Sequence, residues 1–193
     1  MAIAPALSFV ETFAPESRAA RYATYGVAVL TGSLLIAIAG KITVPFWPVP
    51  ATLQTLAIFI IAAAFGRKLA LATLAAYMVE GAMGLPVFTG GGGLAYFAGP
   101  TGGYLAGFVV AAGLTGWAAD RGLDRNALKL FAVNLAGAAI ILILGAAWIA
   151  LAFGTDKALA WGVGPFIITD VIKAALAAAV VPAGWQIATL FRR

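Results

Sequence analysis

The stretch TLQTLAIFIIAAAFGRKLALATLAAYMVEGAMG, Thr52 to Gly84, contains two apolar runs that meet at Gly66-Arg67-Lys68. Thr52 to Gly66 and Leu69 to Gly84 have 15 and 16 residues. As helices they would rise roughly 22 to 24 Å, against a bilayer hydrocarbon core of about 30 Å. The tight basic turn makes them an antiparallel pair, and each leg is too short to fill the membrane alone. Their far ends adjoin two uncharged stretches rich in Pro, Gly and aromatics: ITVPFWPVPATLQT (Ile42 to Thr55) and GLPVFTGGGGLAYFAGPTGGY (Gly84 to Tyr104). Irregular backbone is tolerated at membrane depth where it is buried in protein or lines a cavity, and interrupted segments mark substrate sites. Both loops are therefore expected to fold back into the outer half of the membrane and line a pocket there.

The rest of the chain fits this frame. Of its 193 residues 63% are hydrophobic and 10% charged, against about 25% charged in soluble domains. The fold class predicted is an all-α integral membrane protein with six transmembrane helices in one domain, residues 1–193. The further segments are Tyr22 to Lys41, Gly102 to Ala119, Leu128 to Phe153 and Phe166 to Leu190. With the N-terminus inside, nine Lys and Arg flank the inner side and only Lys41 and Lys157 the outer side; this bias predicts both termini in the cytoplasm. Residues 1–20, with two Glu and no basic residue before Arg18, do not resemble a secretory signal and are read as a cytoplasmic preamble. In ADRGLDRNALK, Asp124 is the candidate N-cap of the fifth helix. The net charge of +5 is scattered beside apolar runs, so nucleic acid is not an expected partner. The absence of Cys and His removes thiolate and imidazole chemistry and the common zinc sites. No catalytic residues, metal or cofactor are predicted, and an enzyme is not expected.

Polar residues at membrane depth are costly unless paired, which singles out Gln54, Glu80, Asn134, Asp170 and Lys173. In PFIITDVIKAAL, Asp170 and Lys173 are three residues apart and share a helix face, near the outer end. They form either a self-neutralising pair that snorkels outward or a polar anchor for ligand; the anchor is favoured. Asn134 and Gln54 are each candidates for an interhelical hydrogen bond or a ligand contact; the interhelical role is favoured for Asn134, and the two are balanced for Gln54 beside the first outer loop. Thr24, Ala28 and Gly32 form a small-residue ladder that permits close helix approach, within the chain or against a partner.

The run from Gly84 to Tyr104 is not a phosphate cradle, because neither Lys-Ser nor Lys-Thr follows it and a membrane helix rather than a strand precedes it. It is too apolar for a flexible linker. Its glycines, Gly92 and Gly93 among them, permit tight turns and expose backbone groups to a ligand, while Phe88 and Tyr96 supply apolar walls.

VPFWPVPATLQT (Val44 to Thr55), GLPVFTGGGGLAYFAGPTGGYLAGF (Gly84 to Phe108) and PFIITDVIKAALAAA (Pro165 to Ala179) together resemble the BioY family, the biotin-specific S components of energy-coupling factor transporters. The resemblance runs in register from the first helix to the sixth. It implies a multi-pass protein of a prokaryotic cell membrane, binding biotin near its outer face, with Asp170 and Lys173 contacting the ureido group and Trp47, Phe88 and Tyr96 packing on the thiophane ring and valerate chain. For the valerate carboxylate, Lys41, the backbone N–H groups of the glycine run, and Lys173 with the ligand reversed are alternatives. The resemblance further implies a transmembrane T component and a pair of ATPases as partners, with the ladder on the first helix as docking surface, and leaves a homo-oligomer open. Other readings are an S component for another vitamin, a self-sufficient carrier of a small carboxylate in which Asp170 or Glu80 takes up protons, and a scaffold without ligand.

Overall fold

The computed structural model describes residues 6–45, 49–164 and 166–190. Its elements are α1 (Phe9–Thr12), α2 (Arg18–Lys41), a hairpin of β1 (Thr43–Val44) and β2 (Ala51–Thr52), α3 (Gln54–Ala82), α4 (Ala95–Ala98), α5 (Gly102–Ala119), a 3₁₀ turn (Leu123–Arg125), α6 (Ala127–Phe153), α7 (Thr155–Gly162) and α8 (Ile167–Leu190). Among the described residues five helices, α2, α3, α5, α6 and α8, are long and apolar enough to cross a membrane.

The helix α3 is two helical legs that meet at a non-helical residue. Gly66 has φ 74° and ψ 172°, and Gln54 Nε2 donates to Tyr77 Oη at 2.5 Å. A straight helix would hold those residues about 35 Å apart, so the chain reverses at Gly66 into two antiparallel legs. Positive φ favours glycine, and a Cβ at Gly66 would lie 2.4 Å from Asp120 Oδ1. That carboxylate accepts the Arg67 N–H at 3.3 Å with each oxygen, satisfying a free donor at the start of the second leg.

Close approach of α5 and α6 depends on missing side chains. A Cβ on Gly107 would meet Ile141 Cα at 2.8 Å, one on Gly103 would meet Trp148 Cβ at 2.3 Å, and one on Gly145 would meet the Tyr104 ring at 2.4 Å. Gly103 and Gly107 are four residues apart, the spacing that lets backbones approach in membranes. Gly32, the last step of the α2 ladder, is likewise used inside the chain, where its Cβ would meet Thr73 Cγ2 at 2.8 Å. Thr24 is half-buried and its hydroxyl donates to Ala20 O of its own helix. The outward face of α2 carries Val27, Leu30, Leu34 and Ile38, side chains suited to lipid.

On the side of the Gly66 turn, the preamble packs rather than trails. Ser8 and Glu11 form a reciprocal cap on α1, Phe9 stands edge-on to Trp185 at 5.2 Å, and Ala6 N–H donates to Asp120 O at 2.8 Å. The expected cap of the fifth membrane segment is corrected: Asn126 caps α6 by accepting from Lys129 N at 3.0 Å. Asp124 is instead buried at 1% exposure, where its Oδ2 accepts from the Trp185 indole.

Candidate functional site

At the end of the bundle away from Gly66, a slot runs between the two legs of α3, α5, α6 and the start of α8. Its empty volume is about 540 Å³ including the mouth, within the usual range of small-molecule sites. The walls are mainly aromatic and aliphatic, with Tyr77, Phe88, Tyr96, Tyr104, Phe108 and Phe166 contributing rings. A second, wider space adjoins it. This vestibule is lined by Lys41, Thr43, Pro45 and Gly90 among others, and shares Pro50, Thr89, Tyr96 and Thr101 with the slot. The vestibule's empty volume, about 980 Å³ with its mouth, exceeds that of the slot, which is the narrower of the two spaces.

Among the described residues that line the slot, the charged ones are Asp170 and Lys173. Lys173 Nζ donates to Asp170 Oδ1 at 2.8 Å and to Thr55 Oγ1 at 3.2 Å, while the Thr55 hydroxyl lies 3.3 Å from Asp170 Oδ1. Asp170 is 4% and Lys173 7% exposed. The snorkelling alternative therefore does not describe these side chains, which are buried and face the slot. Asp170 falls in the first turn of α8, where the helix dipole favours a carboxylate. Both side-chain bonds described at Asp170 fall on Oδ1, and a carboxylate has a second oxygen that can accept. Lys173, with three donors, makes two bonds to protein. The floor of the slot thus offers an acceptor and a donor side by side without net charge.

Gln54 is held by Tyr77 at 2.5 Å, by Thr52 at 3.2 Å and by Thr89 at 3.3 Å, which ties the first outer loop to the glycine-rich one. Phe88 is 1% exposed and stacks on Tyr96 at 4.7 Å, with Tyr77 and Phe97 edge-on at 5.3 and 5.4 Å. Its ring lies directly over Gly81, and its carbonyl accepts from Lys41 Nζ at 2.6 Å.

Of the residues expected at the site, Asp170, Lys173, Gln54, Phe88 and Tyr96 are brought together here. Trp47 lies outside the described residues. Gly92 and Gly93 line neither space. They shape the loop: Gly93, at φ 101°, donates its N–H to Gly81 O at 2.7 Å, and a Cβ on Gly92 would sit 2.2 Å from Leu85 O. Asn134 is also outside the slot; it donates to Ala174 O at 3.3 Å and accepts from Thr115 at 3.4 Å, joining α5, α6 and α8. Glu80 accepts from Ser33 at 2.8 Å, a bond between the second leg of α3 and α2. Sequence reasoning missed Thr55, Tyr77, Tyr104 and Phe166. Tyr77 had a signal: folding the chain about Gly66 places it opposite Gln54.

Three comparisons bear on this geometry. The model of the BioY family matches residues 15–189. A probable biotin transporter BioY of Pyrococcus horikoshii is 37% identical over 144 residues, covering 74% of this chain and 85% of that one. Biotin transporter BioY2 of Lactococcus lactis is 33% identical over 151 residues, covering 77% and 82%. The crystal structure of the S-component for biotin from an ECF-type ABC transporter superposes with a TM-score of 0.75 at 26% identity, over 89% of this chain and 95% of that one.

Proposed function

Because the chain belongs to the BioY family, we propose that it binds biotin in the aromatic slot as the substrate-capture subunit of an ECF-type vitamin transporter. It is a multi-pass membrane transport protein of a prokaryote and not an enzyme. The observation that carries the site assignment is the buried Asp170–Lys173 pair, hydrogen-bonded to Thr55, at the floor of a ring-lined slot. Biotin's ureido group has N–H donors and a carbonyl acceptor on one small ring. Asp170 accepts from a ureido N–H and Lys173 donates to the carbonyl, while Phe88 and Tyr96 cover the thiophane ring and the start of the valerate chain.

The topology we propose is six crossings with both ends cytoplasmic. The reversal at Gly66 supports it, since each leg of α3 then counts as a crossing, and the positive-inside distribution sets the direction. Cysteine is absent from the sequence, so single Ser17→Cys and Thr89→Cys variants can be labelled in whole cells with an impermeant maleimide; labelling of position 89 and protection of 17 is the expected pattern. A T component and an ATPase pair are the proposed energy source. Thr24 and Ala28 remain a proposed contact for the T component, Gly32 being occupied within the chain.

Isothermal titration of the detergent-purified chain with biotin tests the function. One saturable site per chain, not displaced by thiamine or riboflavin, is expected. Absence of saturable biotin binding in correctly folded protein would overturn the assignment.

A further inference from the structure

We propose that Lys41 anchors the ligand's carboxylate at the mouth of the slot and, through the same ammonium, ties it to the glycine-rich loop. The inference rests on the biotin reading above and supplies the partner that the slot floor lacks. Lys41 ends α2 and is the only residue with a formal charge among the described residues that line the vestibule. The vestibule opens onto the slot through shared walls at Pro50, Thr89, Tyr96 and Thr101. A ligand with its polar ring on Asp170 and Lys173 extends its acid tail along those walls.

The other candidates are already engaged. Gly90 N–H donates to Tyr96 Oη at 3.4 Å, Gly91 N–H to Phe88 O at 3.1 Å and Gly93 N–H to Gly81 O at 2.7 Å, while Gly92 borders neither space. Lys173 is 2.8 Å from Asp170, so a carboxylate placed there would set two anions on one ammonium, which like-charge repulsion opposes. Lys157 lies over the Trp161 ring at 5.0 Å and lines neither space. Lys41 has three donors, and its bond to Phe88 O uses one. The remaining donors suit a carboxylate, and charge-assisted bonds of this type are the stronger ones. The ring of Phe88 stacks on Tyr96 in the slot wall, so the bound acid group and that wall share one lysine.

The test compares biotin with biotinamide, which keeps the ring and chain but has no anionic tail, on the purified chain. Wild type is expected to bind biotin more tightly than biotinamide by about ten- to hundredfold, the value of a hydrogen bond to a charged group. Lys41→Met is expected to abolish that ratio by weakening biotin alone, and Lys41→Arg to retain most of it. A Lys41→Met protein that keeps the wild-type ratio overturns the proposal. So does one that weakens both ligands equally, since Lys41 would then only brace the loop. If wild type binds neither ligand, the biotin reading itself has failed, and the two failures are told apart.

Discussion

Adding one methyl group at Gly81 should displace the Phe88 ring and loosen ligand binding. A Cβ built on Gly81 would lie 2.0, 2.4 and 2.6 Å from three ring carbons of Phe88, far inside contact distance. The ring cannot slide sideways freely, because Tyr77, Tyr96 and Phe97 hold it at 4.7 to 5.4 Å. Nor can the backbone at residue 81 recede easily, since Gly81 O accepts from both Gly84 N and Gly93 N. Overpacking of this kind costs about 1–3 kcal/mol. If the narrow slot requires Phe88 in its present seat, that energy is taken from binding, and Gly81→Ala weakens biotin by roughly 5- to 150-fold. A double-mutant cycle isolates the cause. In a Phe88→Ala background the added methyl has space, so Gly81→Ala there should change the affinity less than twofold. Titration calorimetry on the four proteins measures the coupling. Wild-type affinity in Gly81→Ala, or an equal penalty in both backgrounds, would refute the idea that the seated ring shapes the slot.

Other outcomes follow from the same contacts. Lys173→Met strands Asp170 as a buried unpaired anion, for which about 3–5 kcal/mol of stability is the typical loss; pairing it with Asp170→Asn should restore the melting temperature in detergent while biotin affinity stays at least about a hundredfold down, the scale of losing charged hydrogen bonds. Gly107→Val should drive α5 from α6 at the Ile141 backbone and destabilise by about 1–3 kcal/mol, whereas Gly26→Ala, with nothing within 4 Å, serves as a near-neutral control in the same thermal scan. At the Gly66 end of the bundle, burial pushes the Asp124 carboxyl above its ordinary value against the opposing effects of the Trp185 hydrogen bond and Arg125, and burial likewise raises Asp120 against its bond from Arg67 N–H. A folded-state value above the unfolded one, about 3.9, means stability is greatest below that pH and falls as pH rises through the raised value. Asp124→Asn keeps an acceptor for the Trp185 indole and removes the charge, so its melting temperature should depend less on pH above about 4; an unchanged slope counts against a buried anion there.

Much of the architecture was legible because lipid imposes simple rules. The apolar segment Gly102 to Ala119 coincides with α5 at both ends, and the segments of α6 and α8 differ by one residue at their starts. The first membrane segment, α2, begins at Arg18 rather than Tyr22 because Ser17 caps it, its hydroxyl accepting from Ala20 N; hydropathy weighs the charged first turn and overlooks the cap. Tertiary partners were less accessible. Nothing local in residues 6–13 states that Phe9 has Trp185 to pack on, or that Asp124 is taken by the same indole and so leaves the capping to Asn126. The residues between the apolar segments that end at Phe153 and begin at Phe166 form α7, whose Gly162 carbonyl accepts from Tyr104 Oη at 2.6 Å inside the protein.

For the site, the distinction between residue type and residue placement explains both successes and misses. A buried amide satisfies itself wherever donors and acceptors are near, so Gln54 and Asn134 look alike in sequence; one meets the outer loops and the other joins three helices below them. Glycine has the same ambiguity, since a free backbone can greet a ligand or make a tight turn, and Gly92 and Gly93 make the turn. Asp170 and Lys173 escape it because each alone would be costly within a membrane segment, and the spacing that neutralises them also puts them on one helix face.

That neutralisation bears on the ligand. A slot floor with a net charge would demand a counter-charge whenever it stood empty, whereas the Asp170–Lys173 pair satisfies itself and can exchange part of its bonding for a neutral ring that both donates and accepts. The acid tail of biotin then has no place at the floor, where its charge would be uncompensated. It belongs beside a cation in wetter surroundings, and the vestibule holds Lys41. In the proposed pose, separating the two functions lets the narrow slot select the ring while the open vestibule holds the charge, so a ligand missing the anion should lose affinity without losing its seat, and a ligand missing the ureido group should lose both.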